Sequence, residues 1–270
     1  PSTGLPTKTE QSDLFQAMFG RNGESPVIVI AASTPANCFN YAYEAAKLTL
    51  EHMTPVILLT DGYIANGSAP WKIQSVDDMP EIKPLIVKEG NADWQPYDRD
   101  KETLAREWAV PGTPGLEHRV GGLEKDKLSG QVSYDPDNHQ TMTDIRAEKI
   151  KRVQNYIPEL QAEFAQEGDV LVVGWGGTYG NLYAALKDLK QSGVKGVGLA
   201  HFNHINPLPK NTAEVFGKFK KLLVCELNTG QFASILKMQF PQTRIEQFNK
   251  IEGLPFGTSE LVNKINDVIG

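Results

Sequence analysis

The 270-residue sequence predicts an α/β fold made of two α/β units with an irregular connection between them. Three features carry that expectation. Short, largely apolar runs of strand length occur at residues 27–31, 56–59, 169–173, 196–200 and 222–225, and such runs suit strands buried on both faces of a parallel sheet. The stretch between the first two runs has helical spacing and is long enough for a right-handed crossover. Residues 80–114, by contrast, mix Pro, Trp, Asp and Glu with no period, over a length that a simple loop in a compact domain rarely reaches.

Taken in chain order, Thr9 or Ser12 can start a first helix carrying Leu14, Met18 and Phe19. After the strand at 27–31, Pro35 suits the first turn of a helix whose apolar stripe is Phe39, Tyr43, Ala46 and Leu50, ended by Pro55. The strand at 56–59 closes on Thr60-Asp61-Gly62. Glycine turns at 112–115 and 121–122 punctuate the connection. A polar helix is expected over 141–166, with Ile145, Ile150, Val153 and Ile157 along one stripe and a break at Pro158. The second unit reads as strand 169–173, helix 181–191, strands 196–200 and 222–225, and a closing helix over 259–269. No internal repeat is visible.

A net charge of −6 and a pI near 5.5 argue against nucleic acid as a partner, because phosphate binding needs a surplus of Lys and Arg. Lys218, Lys220 and Lys221 read as a solvated strand edge. With no run of eighteen apolar residues and no leader-like start, a cytoplasmic protein with no membrane contact is expected. Cys38 and Cys225 are too few and too far apart for a disulfide framework, a zinc site or an iron–sulfur ligand set, so any redox centre is expected on another chain. The chain starts at Pro1 with no Met before it, which reads as a fragment lacking its upstream part.

The turn Gly174-Trp175-Gly176-Gly177-Thr178-Tyr179-Gly180 follows a strand and opens a helix, so it reads either as a loose dinucleotide fingerprint or as close strand-helix packing. The next strand ends at His201 rather than at an acidic residue, which favours packing. His201 and His204 lack the Cys or carboxylate company of a metal site, so no metal ligand is expected. Ser33 and Ser68 lack a nucleophile elbow. The pairs Asp77-Asp78 and Asp135/Asp137 suit backbone capping. The opening segment Pro1-Ser2-Thr3-Gly4-Leu5-Pro6-Thr7-Lys8-Thr9-Glu10 combines hydroxyls, a glycine and a cation in a stiffened loop able to hold a carboxylate, although an ordinary capped loop has the same composition.

Residues 1–11, Asp61-Gly62-Tyr63-Ile64-Ala65, the run from Pro111 to Glu124, Asp137-Asn138-His139 and the run from Glu226 to Gln231 resemble, in order, the alpha subunit of 2-oxoglutarate:ferredoxin oxidoreductases. The likeness spans nearly the whole chain. It implies the later half of a thiamine diphosphate pyrimidine-type domain at residues 1–90, a connecting insert and helix at 91–165, and a transketolase C-terminal-like domain at 166–270. It further implies oxidative decarboxylation of a 2-oxoacid, 2-oxoglutarate being favoured, to an acyl-coenzyme A with reduction of ferredoxin. Thiamine diphosphate and magnesium would be shared with, and mainly held by, a beta subunit, with an iron–sulfur cluster on that partner chain and coenzyme A as a substrate. Thr7 best matches a family threonine facing the 2-oxoacid, with Ser2, Thr3 and Gly4 shaping the loop. Glu117, His118 and Arg119 fall in a segment resembling the family loop near the active-site entrance, where a surface crossover held by glycines is an equal reading. By the same resemblance the chain is not active alone. A docking scaffold of the same complex, or a nucleotide-binding domain using the 174–180 turn, are the competing readings.

Overall fold

The structure, a computed structural model, describes Leu5, residues 8–90 and residues 93–270. In chain order the elements are α1 (Leu14–Phe19), β1 (Ile28–Ala31), α2 (Cys38–His52), β2 (Val56–Leu59), α3 (Gly62–Asn66), β3 (Ile86–Val87), β4 (Trp108–Ala109), α4 (Pro136–Arg152), β5 (Ala162–Glu163), β6 (Gly168–Trp175), α5 (Tyr179–Gln191), β7 (Val197–Phe202), β8 (His204–Asn206), α6 (Thr212–Gly217), β9 (Phe219–Glu226), α7 (Gln231–Gln239), β10 (Ile245–Asn249) and α8 (Thr258–Ile269).

The C-terminal strands form a five-stranded sheet in the order β10-β9-β6-β7-β5, parallel except for the β5 edge. Its central strand β6 is apolar because both of its faces are covered. Val170 and Val172 pack with Leu182 and Leu186 of α5 and with Leu261 and Ile265 of α8. Leu171, Val173 and Trp175 point the other way, into a cluster with Phe216 of α6 and Phe232 and Leu236 of α7. That second cluster also takes Leu14 of α1 and Val29 and Ala31 of β1, so the two α/β units share one core.

The N-terminal sheet has the order β2-β1-β8, with β1 parallel to β2 and antiparallel to β8. β8 follows β7 after a single residue, Asn203, and so carries the chain from one sheet directly into the other. Asn203 fixes the crossing at Ala31: its carbonyl accepts from the Ala31 N–H at 2.7 Å and its side-chain amide donates to the Ala31 carbonyl at 2.8 Å. Asn206 repeats the grip one turn of pleat away, donating to the Val27 carbonyl at 2.6 Å.

Three expectations change. The predicted α2 stripe of Phe39, Tyr43, Ala46 and Leu50 is not the core face, since Tyr41, Ala45 and Leu48 pack on Ile28 and Ile30 of β1 and on Ile150 and Val153. The stripe at Phe39, Tyr43 and Leu50 is the outer face, half-exposed beside the chain that follows α3: Phe39 contacts the Trp71 ring at 5.2 Å, Tyr43 donates to the Pro80 carbonyl at 2.7 Å, and Trp108 donates to the Leu50 carbonyl at 2.7 Å. A helix with apolar residues on two faces offers two stripes at the same period, and spacing alone does not rank them. The polar helix begins at Pro136, capped by Asp135 accepting from the Asp137 N–H, and its α-helical part ends at Arg152; the chain beyond Asn155 turns into the β5 edge. Lys218, Lys220 and Lys221 do not lie on a sheet edge, because β9 is an inner strand; Lys218 and Lys220 pair with Glu214 and Asp169, and Lys221 donates to the Val268 carbonyl.

Candidate functional site

Thr7, Thr3, Ser2 and Gly4, the residues expected to meet the 2-oxoacid, lie outside the described residues. Residues 8–13, the strap that follows them in sequence, are described, and atoms from both α/β units hold it. Its first contact is with two glycines. A side chain at Gly62 would meet the Lys8 carbonyl at 2.8 Å, and one at Gly253 would meet Leu5 and Lys8 at 2.5 and 2.6 Å.

Gln11 is the centre of the clasp and is almost wholly buried. Its side-chain amide donates to the Trp175 carbonyl at 2.7 Å while its side-chain oxygen accepts from the Leu227 N–H at 3.0 Å. Its backbone N–H donates to the Leu227 carbonyl at 3.0 Å, and its carbonyl accepts from Asn228 at 2.9 Å. Every polar atom of the residue is thus matched, which is what burial of an amide requires. Gln231 repeats the pattern at α1, accepting from the Phe15 N–H and donating to the Ser12 carbonyl, both at 2.9 Å.

Behind this clasp sits Glu226, at the end of β9 and fully buried. One carboxylate oxygen accepts from the Ala233 N–H at 2.9 Å. The other accepts from Trp175 Nε1 at 3.1 Å, Asn228 Nδ2 at 2.9 Å and the Phe232 N–H at 2.8 Å. The two backbone donors belong to the first turn of α7, whose free N–H groups and dipole suit a carboxylate. Sequence reading reached Glu226 and Gln231 only through the family motif; nothing in residue type alone separates a buried network acid from a surface one.

The Gly174–Gly180 region resolves in favour of packing. The N–H of Gly177 donates to Asp61 Oδ2 at 3.1 Å, so a carboxylate of the chain itself occupies the place where a phosphate would meet this turn. A side chain at Gly177 would come within 2.1 Å of that oxygen, and one at Gly176, where φ is +56°, within 3.0 Å of Gln11. Asp61 also caps α3 by accepting from the Ile64 N–H at 2.9 Å. Burial pushes its carboxyl above the usual carboxylate range, opposed by the N–H groups of Ile64, Gly177 and Tyr63. The nucleotide-binding reading of the turn therefore falls. Gln11, Asp61, Trp175 and Gly176 enclose a cavity of only about 20 Å³, room for a single water.

The residues expected at the entrance lie in the insert. Glu117 and Arg119 are exposed, and His118 lies against the Trp94 ring at 5.4 Å with Nδ1 2.8 Å from the Leu116 carbonyl. Glu117 and His118 line a separate pocket in the insert that shares no residue with the strap. His201 and His204 face a third, polar cleft with Ser33, Asn37 and Tyr179. His204 pairs with Glu44 at 2.8 Å, and burial pulls the His201 imidazole down to about 4.

Residues 1–133 match the family described as pyruvate flavodoxin/ferredoxin oxidoreductase, thiamine diphosphate-binding. The 2-oxoglutarate oxidoreductase subunit KorA of Mycobacterium tuberculosis is 46% identical over 97% of this chain and 39% of its own length. The alpha subunit of 2-oxoacid:ferredoxin oxidoreductase 1 of Aeropyrum pernix is 30% identical over 100% of this chain and 43% of its own. The chain is a homologue of the 2-oxoacid:ferredoxin oxidoreductase alpha subunits. The fold agrees: a 2-oxoglutarate:ferredoxin oxidoreductase from Magnetococcus marinus, solved with 2-oxoglutarate, coenzyme A and succinyl-CoA bound, superposes with a TM-score of 0.90 and 30% identity over all of this chain and 47% of that one. The alpha-subunit homologue thus spans less than half the length of each of these three relatives.

Among the described residues no three His, Cys, Asp or Glu side chains converge as a metal site. Cys38 opens α2 and Cys225 is buried in β9, two free thiols on different elements, which is no ligand set for an iron–sulfur cluster. Among the described residues no helix is long and apolar enough to cross a membrane.

Proposed function

We propose that this chain acts within the alpha subunit of a 2-oxoacid:ferredoxin oxidoreductase, where it recognises the 2-oxoacid and joins the subunits. The reaction is oxidative decarboxylation of a 2-oxoacid, 2-oxoglutarate being favoured, to an acyl-coenzyme A and carbon dioxide, with the electrons passing to ferredoxin. A beta subunit carries the iron–sulfur cluster and the magnesium-bound end of thiamine diphosphate, in keeping with the absence of fitting ligands among the described side chains. Thiamine diphosphate supplies the carbanion-stabilising chemistry when bound. Two free thiols suit a reducing, cytoplasmic setting.

The observation that carries this reading is the clasp on the strap. Residues 8–13 are fixed by Gln11, Asn228 and Gln231 and approached closely by Gly62 and Gly253, and they lead directly from the loop holding Thr7. A rigid exit lets a short hydroxyl-rich loop present Thr7 to a carboxylate in one geometry, so that little ordering cost is left for binding. Ser2, Thr3 and Gly4 shape that loop, while Glu117, His118 and Arg119 border the approach to it.

The test uses the chain assembled with its beta subunit and an assay of acyl-coenzyme A formation across several 2-oxoacids. Thr7→Ala is expected to raise KM for the preferred 2-oxoacid by about tenfold, the loss of one hydrogen bond to a charged group, with the coenzyme A dependence unchanged. Unaltered kinetics would remove Thr7 from the site, and failure of the assembled complex to turn over any 2-oxoacid would remove the reading altogether.

A further inference from the structure

The insert carries a concentration of positive charge that the overall acidity of the chain conceals. Arg99 and Arg106 face each other across an antiparallel bridge, closed by hydrogen bonds between Asp100 and Ala105 and between Leu104 and Asp100, each 2.9 Å. Both guanidinium groups lie over the ring of Tyr97, at 5.7 and 4.1 Å. Like charges directly opposite on paired strands are destabilising, and neighbouring strands normally avoid them. Arg146 and Lys149, three residues apart on α4, bring two more cations to the same place.

These cations have almost no anionic company. Among the described residues, Arg146 alone of the four has an ion-pair partner, Glu124 at 3.5 Å, and Glu124 is shared with His139 at 2.9 Å. Arg99 donates to the carbonyls of Tyr97 and Lys127 at 2.8 and 3.1 Å, Arg106 to the carbonyl of Pro96 at 3.0 Å, and Lys149 to the carbonyl of Met53 at 2.9 Å. Burial together with Arg106 and Arg99 pulls the Lys149 ammonium down to about 8, and burial together with Arg106 and Arg146 lowers Arg99, so all four groups feel one another.

Arg106 opens onto a pocket of about 470 Å³ walled by Trp108, Leu116 and His118. Glu107 and Glu117, also on its lining, are exposed and pair with none of the four cations. A guanidinium that spends one N–H on a carbonyl keeps the rest of its fork for a ligand, and planar forks beside an ammonium match a phosphoryl group. The apolar wall suits the body of a molecule whose charged end is a phosphate.

We propose that the insert pocket is a binding site for a phosphoryl-bearing small molecule, with Arg106 contacting the phosphoryl group and Arg99 and Lys149 supplying the charge behind it. This assignment does not rest on the 2-oxoacid reading, since Arg106, Arg99 and Lys149, which carry it, play no part there.

The experiment is calorimetric titration of the 270-residue chain with inorganic pyrophosphate at fixed ionic strength, with inorganic phosphate and succinate as parallel arms. Pyrophosphate is expected to bind saturably, to weaken at least tenfold in Arg106→Gln and in Lys149→Gln, and to bind unchanged in Lys187→Gln, which removes an exposed cation from α5. Because loss of Arg106 also removes its brace to Pro96, a second reading is taken on the unsubstituted chain: with its lysines carrying ¹³C-methyl groups, pyrophosphate should raise the titration midpoint of Lys149 by about one unit or more, a tenfold stabilisation of its charged form. Absent saturation, equal affinity in Arg106→Gln, an unmoved Lys149 midpoint, or succinate binding as tightly as pyrophosphate would each overturn the assignment.

Discussion

Replacing Glu226 by glutamine tests whether the clasp behind the strap depends on a carboxylate or only on its shape. Glu226 accepts four hydrogen bonds and donates none, one at one oxygen and three at the other. A glutamine amide offers one oxygen and one NH₂ group. In its better orientation the oxygen keeps Trp175, Asn228 and Phe232, and the NH₂ then faces the N–H of Ala233. Two buried donors confronting each other cost about 1–3 kcal/mol. The three retained bonds lose their charge assistance and α7 loses the anion at its first turn, together about 1–2 kcal/mol more. Relief of the carboxylate's burial cost offsets part of this, which leaves a net destabilisation of about 2–4 kcal/mol. For a chain of this size that corresponds to a fall in Tm on the order of 5–10 °C. Urea and thermal unfolding of Glu226→Gln against the unsubstituted chain measure it directly. A variant within about 0.5 kcal/mol of the parent would show that the carboxylate is not what holds the α7 turn to Trp175, and the account of the clasp would be wrong.

The remaining predictions concern the same frame. Gly177→Ala places a methyl carbon within 2.1 Å of Asp61 Oδ2; it should cost about 1–3 kcal/mol and increase trypsin cleavage after Lys8, whereas unchanged cleavage would disconnect the turn from the strap. His201 has a folded-state pKa of about 4 against an ordinary 6.5, so between those values the unfolded chain takes up the proton first. Its stabilising contribution is complete above pH 6.5 and is lost as the pH falls toward 4, by about 3 kcal/mol at most. Urea midpoints at pH 7 and 4.5 should therefore fall further in the parent than in His201→Phe, and equal falls would show that the imidazole is not buried as described.

Much of the fold was legible because the buried strands announce themselves. β6 and β9 contain the continuous apolar runs 170–173 and 222–225, and α8 follows its capping turn at the expected place. What escaped was structure whose reason lies in distant partners. β8 is three residues long and exists because Asn203 and Asn206 hydrogen-bond to β1, more than 170 positions away. β10 alternates apolar and polar residues only weakly and is placed by its parallel register with β9. The stripe on α2 has the right period on the wrong face, since Phe39 and Leu50, though apolar, stay largely exposed beside Trp71 and Trp108. At the site, the hydroxyl-rich loop and the Glu226–Gln231 motif were visible as residues, yet the role of Gln11 was not. A glutamine in a polar segment looks solvent-exposed until the groups that satisfy it, Trp175 and Leu227, are brought in by the fold.

The same contacts bear on how the two α/β units move. Were they separate bodies, a loop at their junction would be free to follow either one. Here β8 ties the sheets together, Leu14 and Val29 sit in the core of the second unit, and Gln11 bonds to the ends of both β6 and β9. Displacing one unit against the other would break the Gln11 pair, strand the buried donors around Glu226 and open the apolar cluster together, at a cost of several hydrogen bonds that no water could replace without entering the core. The strap is therefore carried on a single rigid frame. The insert is tied to that frame by bonds that include those from Tyr43, Trp108 and Lys149 to backbone carbonyls and the one from the Lys83 N–H to Glu51.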